Sequence, residues 1–212
     1  EMEGFRIVPS TKTDLLNLQL TPDFALCSEC RDELLDPENR RHHYPFISCV
    51  NCGPRWALTE TFPFERENTS MEVFRMCPEC LEEYQDPADR RFHSQTNSCA
   101  ACGVDFWVAD PEGGRLEKPG ATPFQQLAEF LAGGKIIALK NTSGYLLCCD
   151  ARNQGAVRSL RTRKKRPAKP FAVLYPSMEK LGKDLPVRPE EAEALRSVER
   201  PIVLLPSGSY QG

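Results

Sequence analysis

Eight of the ten cysteines fall in four Cys-x-x-Cys pairs, and these pairs restrict the fold of the first half more than any other feature. Cys27–Cys30, Cys49–Cys52, Cys77–Cys80 and Cys99–Cys102 are separated by 18, 24 and 18 residues, so every cysteine of the first two pairs recurs 50 positions later. Residues between them recur as well: Asp36-Pro37 with Asp86-Pro87, Arg40-Arg41 with Arg90-Arg91, His43 with His93, and Gly53 with Gly103. One structural unit is used twice.

A Cys-x-x-Cys turn presents two sulfurs to one cation, and a second such turn completes a tetrahedron around Zn²⁺. Four sulfurs leave no open coordination position, so the two expected zinc ions are structural. They staple units too small to bury much of a core, each contributing about 10–16 kcal/mol to folding. The ligands are Cys27, Cys30, Cys49 and Cys52 for one site, and Cys77, Cys80, Cys99 and Cys102 for the other. Spacing leaves open a crossed arrangement in which pairs from different repeats share a metal. His43 and His93 read as surface or ligand-supporting residues, since four cysteines already suffice. For the Arg-Arg pairs two readings stand: a grip on phosphate, or salt bridges to acids flanking the cysteines, such as Glu29 and Glu79. Phe62-Pro63-Phe64 and Met71 to Met76 read as linker residues packing the units together.

Such cysteine usage fits a reducing compartment, hence the cytoplasm. No run of eighteen apolar residues occurs, so no membrane partner is expected. The amino-terminal Glu1-Met2-Glu3-Gly4 lacks the features of a secretory signal, and the chain reads as cut from a longer one.

Asp110-Pro111-Glu112-Gly113-Gly114 and Pro119-Gly120 mark a turn and a linker, placing a boundary near residue 120. Beyond it, Thr122-Pro123 opens a helix through Leu131 that Gly133-Gly134 stops. Strands are expected at 136–139, 145–149, 171–175 and 202–205, and helices at 153–163 and 189–198, an alternation that argues for an α/β domain. Cys148 and Cys149 read as buried and inert. Eight cationic residues occur between Ala151 and Met178 with no acid among them, in a chain whose net charge is −3. Pro167 and Pro170 stiffen this run, which would hold its cations ready for a polyphosphate. A solvated helix face or an RNA contact is the competing reading.

Several segments together resemble one family. Tyr44-Pro45-Phe46, Cys49-x-x-Cys52-Gly53-Pro54-Arg55, Pro63-Phe64-Glu65-Arg66, Thr69-Ser70-Met71, Phe74-x-Met76-Cys77 and Asp89-Arg90-Arg91-Phe92-His93 resemble the zinc-finger region of HypF, the carbamoyltransferases of [NiFe]-hydrogenase maturation. Leu160 to Ala172 looks like the nucleotide-binding loop of the YrdC-like domain that follows those fingers. The resemblance covers roughly residues 20 to 206 and implies an α+β chain: tandem four-cysteine zinc-finger units, then a partial YrdC-like α/β domain. Residues 1–20 would be a linker or the tail of an acylphosphatase-like domain, 21–120 the duplicated finger region (fingers 27–52 and 77–102), and 121–212 the first part of the YrdC-like domain.

The resemblance further implies that Lys164 and Arg166, with Lys169 nearby, hold phosphate oxygens of ATP or carbamoyl phosphate, with Mg²⁺ accompanying the nucleotide. Lys140 is a further candidate. The implied reaction hydrolyses carbamoyl phosphate, adenylates the carbamate with ATP and passes the carbamoyl group to the C-terminal cysteine of HypE, on the way to a cyanide ligand of the hydrogenase iron. This chain alone is expected to bind zinc and complete no turnover. Where the family shows Lys-Gly-x-Gly-Gly-Phe-His, this chain has Lys140-Asn141-Thr142-Ser143-Gly144-Tyr145-Leu146, which leaves less room for backbone to approach a ligand. Two alternatives are carried: a zinc-ribbon module binding or modifying RNA, in keeping with the double-stranded-RNA-binding character of YrdC-like folds, and a HypF relative that carbamoylates a small molecule. The near-neutral charge and the lack of aromatics within the basic run disfavour nucleic acid.

Overall fold

Each repeat begins its only α-helix at its first cysteine pair. In α1, Ser28–Leu35, and α2, Pro78–Gln85, the leading cysteine occupies the extended N-cap position and the second cysteine is buried in the first turn. Pro78 suits the first turn of α2, where its missing N–H costs no helical bond. The described residues of the computed structural model are 20–206, so the expected amino-terminal domain tail lies almost wholly outside them.

After each helix the chain turns back on itself in the same way. The carboxylates of Asp36 and Asp86 accept from the amides two residues on, Glu38 and Ala88. His43 and His93 then adopt φ of 57° and 52°. In that left-handed conformation their amides donate to the helix-end carbonyls of Leu34 and Tyr84, at 2.9 and 3.0 Å. The repeated histidines are therefore turn residues that satisfy helix carbonyls, and neither belongs to a metal-ligand cluster.

The linker between repeats is tied down by two arginines, Arg55 buried and Arg66 half-buried. Arg55 donates to the carbonyls of Cys49, Val50, Cys52 and Pro54, closing the turn beneath the Cys49–Cys52 pair. Arg66 donates to Gln95, Asn97 and Phe74 carbonyls, stitching the linker to the second repeat. Met71 is buried, as expected of a packing residue. Tyr44 and Ile47 join Cys30, Cys49 and Cys52 in one buried cluster.

The chain divides into two compact units, Glu1–Val104 and Asp105–Gly212. The division falls after Val104 and not near residue 120, because 105–116 packs within the second unit. There β1, Val108–Ala109, pairs antiparallel with β2, Arg115–Leu116, and Phe106 meets Phe124 at a ring separation of 4.7 Å. Helix α3, Pro123–Ala132, starts at a capping box in which Thr122 and Gln125 satisfy each other's amides, and Gly133 caps its end. Strands β3, Ile137–Asn141, and β4, Gly144–Cys148, form an antiparallel hairpin, and α4 spans Gln154–Arg163 behind an Asn153 cap.

Two of the expected strands are not formed. Residues 171–175 and 202–205 run without regular pairing, and Leu174, Ile202 and Leu204 are almost fully exposed. A strand needs a neighbouring edge for its amides and carbonyls, and among the described residues neither segment is paired with one. Within the second unit one helix was not expected: α5, Met178–Asp184, capped by Ser177, which accepts from the Lys180 amide. Pro176 and Gly182 conceal its short pattern. Helix α6 spans Pro189–Arg196. No helix among the described residues is long and apolar enough to cross a membrane.

Candidate metal centres and basic loop

The sulfurs of Cys27, Cys30, Cys49 and Cys52 all lie within 4.8 Å of one another, as do those of Cys77, Cys80, Cys99 and Cys102. Each repeat closes its own site, which resolves the question of crossed pairs. A tetrahedron with Zn–S bonds of about 2.3 Å has edges of about 3.8 Å. The sulfur separations match it: 3.7 Å for Cys27–Cys49, 3.8 Å for Cys49–Cys52, 3.8 Å for Cys77–Cys99, 3.8 Å for Cys99–Cys102 and 3.6 Å for Cys80–Cys102.

Helix N-termini at Cys27 and Cys77 direct partial positive charge at the sulfurs, which favours thiolates. Protons distribute unevenly within the cluster. Hydrogen bonds from Cys30 and Cys52 hold Cys49 far below the usual thiol range, and the reciprocal bond to Cys49 pushes Cys30 far above it. Burial pushes Cys27 up to about 11. Four adjacent sulfurs cannot all ionise on their own, so a divalent cation is what this donor set accommodates.

The turns at the second cysteine pairs leave no room beyond glycine. Gly53 has φ +89°, and a Cβ there would meet the Ser48 Cβ at 2.6 Å. At Gly103 a Cβ would lie 2.0 Å from the Tyr44 hydroxyl.

The Arg-Arg pairs find acids, but not those expected. Each pair crosses to the other repeat. Arg40 and Arg41 meet Glu83, at 2.7 and 2.5 Å, and Arg90 meets Glu33 at 2.6 Å, with Arg91 also on Glu33. Glu33 and Glu83 are themselves 50 positions apart, a signal present in the sequence. Glu29 and Glu79 lie one turn too early on the helices to meet these guanidiniums. Burial disfavours the Glu83 carboxylate, but the hydrogen bonds from Arg41 and Arg40 outweigh it and hold its carboxyl at about 2.

In the second unit, Lys164, Arg166 and Lys169 share the loop after α4. Phe171, expected in a strand, instead packs against two guanidiniums: Arg161 at 4.7 Å and Arg166 at 5.3 Å from its ring centroid. Arg161 also donates to the carbonyls of Arg166 and Lys169, and Arg166 to that of Pro170. These contacts fix the loop while Lys164, Lys165 and Lys169 remain exposed. Lys140 stands elsewhere, on β3, with its ammonium 5.5 Å from the Tyr145 ring and donating to the Asn141 carbonyl. No hydrogen bond among the described residues joins it to the loop.

The segment from Asn141 to Gly144 makes the two-residue turn of the β3–β4 hairpin. Asn141 accepts from the Ser143 amide at 2.9 Å, and the glycine sits where φ reaches +127°. Cys148 and Cys149 are half-buried, less enclosed than expected. Burial raises both thiols, which makes them poor nucleophiles.

With this geometry in hand, comparison with known proteins is decisive. A family model described as HypF finger matches residues 26–59 and 76–109, one match over each four-sulfur cluster, and a model described as Telomere recombination, of the Sua5/YciO/YrdC type, matches 129–210. The chain belongs to the HypF family. It is 45% identical over 206 residues to Carbamoyltransferase HypF2 of Cupriavidus necator, covering 97% of this chain and 25% of that protein. It is 48% identical over 188 residues to Carbamoyltransferase HypF of Synechocystis sp., covering 88% and 24%. The crystal structure of full-length HypF in the phosphate- and nucleotide-bound form superposes with a TM-score of 0.81 at 44% identity, over 88% of this chain and 24% of that one. The chain thus spans about a quarter of the length of the relatives it matches. The two fingers and the YrdC-like unit are common to this chain and that structure.

Proposed function

We propose that this chain is the finger and YrdC-like part of a HypF-type carbamoyltransferase, and that its basic loop serves an ATP-dependent adenylation. Water first cleaves carbamoyl phosphate to carbamate and phosphate. A carbamate oxygen then attacks the α-phosphorus of ATP and expels pyrophosphate. Finally a cysteine thiolate of the acceptor, the C-terminal cysteine of HypE, takes the carbamoyl group and releases AMP. Lys164, Lys169 and, from one edge, Arg166 would neutralise phosphate oxygens as charge builds on them, with Mg²⁺ accompanying the nucleotide. Lys140, on β3, is proposed as a further cation for the same phosphates. The zinc units hold their own unit together and carry no open coordination position for substrate. The reaction is placed in the cytoplasm, where the thiolates stay reduced.

The observation that carries this reading is the clamped loop: Arg161 and Arg166 stack on Phe171 and bind loop carbonyls, so the neighbouring lysines are presented on a fixed backbone. Preorganised cations of this kind suit a polyphosphate better than a solvated helix face does. The test is carbamoyl-phosphate-dependent formation of AMP and pyrophosphate by the full-length protein, comparing wild type with Lys164→Ala and Arg166→Ala. Loss of AMP formation in folded variants is the expected result. Wild-type AMP formation by both variants would remove the loop from the adenylation site. No AMP from folded, zinc-loaded wild type would remove the carbamoyl chemistry and leave salt-dependent RNA binding as the reading to pursue.

A further inference from the structure

The arginine pairs of each repeat do more than meet a glutamate: they reach the sulfurs of the other repeat. Arg40 donates from both terminal nitrogens to Cys80 Sγ at 3.4 Å, and Arg41 Nη2 lies 3.6 Å from the same sulfur. Reciprocally, Arg90 Nη1 lies 2.9 Å and Arg91 Nη2 3.9 Å from Cys30 Sγ. Arg40 and Arg90 also approach Cys77 and Cys27, each at 4.0 Å. The backbone repeats the exchange: Arg41 Nε donates to the Ser98 carbonyl at 2.9 Å, and Arg91 Nε to the Ser48 carbonyl at 3.1 Å.

Charge explains why two arginines arrive at each centre. A divalent cation with four thiolates carries a net charge of −2, and Cys30 and Cys80 are fully buried. Such a charge away from water needs nearby compensation. Two guanidiniums supply +2 against −2 from the centre and −1 from the glutamate they share, and N–H···S bonds draw electron density from the sulfur that faces the other repeat. Glu33 and Glu83 hold the fork of each pair in place, since each is ion-paired with both arginines of the opposite repeat.

We propose that the two metal centres are coupled through these arginines: Arg40 and Arg41 are the outer charge shell of the Cys77–Cys102 centre, Arg90 and Arg91 that of the Cys27–Cys52 centre, so metal retention at each site depends on the other repeat. The consequence is directional. Removing Arg90 loosens metal in the repeat that does not contain it. When that site fails, its own arginines lose their framework and the second site follows. The inference stands on the finger geometry alone, independent of the carbamoyl reading.

The test uses the intact, zinc-loaded protein, challenged with a chelator and an isotopically tagged alkylating reagent, with the cysteines quantified peptide by peptide. Arg90 and Arg40 are the positions to vary, because they are about a quarter to a third exposed whereas Arg41 and Arg91 are almost fully buried. Arg90→Ala should raise the initial rate of modification at Cys27, Cys30, Cys49 and Cys52 by about 10- to 100-fold, the usual effect of losing a partner of a metal ligand. Cys77, Cys80, Cys99 and Cys102 should follow only after a delay. Arg40→Ala should give the mirror image, and Arg90→Lys, which keeps the charge, should return most of the protection. Modification starting in the substituted repeat, simultaneous exposure of both sites, unchanged rates, or a Lys variant as labile as the Ala variant would each overturn the coupling.

Discussion

The Tyr44 hydroxyl of the first repeat occupies the space a side chain at Gly103 of the second would need. It lies 3.1 Å from Ser98 Oγ and accepts from the Val104 amide at 3.0 Å. The first repeat therefore penetrates the turn of the second cysteine pair, at a place where an added Cβ would lie 2.0 Å from the hydroxyl oxygen. Gly103→Ala must expel Tyr44 or distort the Cys99–Cys102 turn. A loss of about 1–3 kcal/mol is expected, read as a lower denaturant midpoint with unchanged slope. Combining it with Tyr44→Phe should cost less than the sum of the two single changes, because the clash and the lost hydrogen bonds fall on one contact.

Chelation should separate the two units. The first unit draws its buried cluster largely from the metal-site cysteines, whereas the second buries Ala156, Leu160 and Leu181 without any metal cluster among its described residues. Stripping zinc at neutral pH is expected to abolish amide-exchange protection between residues 25 and 104 while leaving that of α3, α4 and the β3–β4 hairpin within a few-fold of its starting value. Retained protection in both fingers after complete metal removal would count against structural zinc.

Glu83 gives the first unit an acid-sensitive element. Its folded-state carboxyl titrates at about 2 against an ordinary value of 4.5. A depressed carboxyl stabilises the fold fully above about pH 4.5, and that contribution is lost as the pH falls toward 2. Glu83→Gln should therefore destabilise the protein at neutral pH, by about 2–3 kcal/mol for a partly buried charged contact, and the gap from wild type should close on acidification. The gap between the two proteins, followed by urea denaturation across that pH window, reports the glutamate's ion pairs together with the metal retention that Arg40 and Arg41 support.

The metal centres were legible because spacing encodes them directly: two sulfurs per turn, two turns per unit, and a 50-residue period that names the second site once the first is found. Which copy of a repeated residue meets which was not legible. Periodicity makes Glu33 and Glu83 equivalent without saying that Arg41 reaches the distant one, and local reasoning favoured Glu29 and Glu79 because they flank the cysteines. His43 and His93 were ambiguous for a related reason, since a turn histidine with positive φ and a metal ligand recur at the same period. In the second unit, the Thr122 helix cap was readable because its hydrogen bonds are local. The strands expected at 171–175 and 202–205 failed because apolar content alone does not specify pairing with an edge, and Phe171 was recruited by Arg161 and Arg166 instead.

That recruitment leads to a prediction about the basic loop itself. Each guanidinium over the Phe171 ring contributes about 0.5–1 kcal/mol when exposed, and there are two. Phe171→Ala removes both, leaving the carbonyl contacts of Arg161 and Arg166 to hold the loop alone. A loss of about 1–2 kcal/mol corresponds to roughly a 5- to 30-fold rise in the population of open loop. Trypsin reports this population: Arg166 and Lys169 precede prolines and resist cleavage, so cutting is confined to Arg163, Lys164 and Lys165. The cleavage rate there should rise by that factor with the helical circular dichroism unchanged. Phe171→Tyr, which preserves the ring face, should cleave like wild type. Equal cleavage of wild type and Phe171→Ala would show that the carbonyl contacts suffice and that the ring merely fills space. If the loop holds nucleotide, ATP at saturating concentration should restore much of the protection lost in Phe171→Ala, since ligand binding selects the closed loop by its differential affinity.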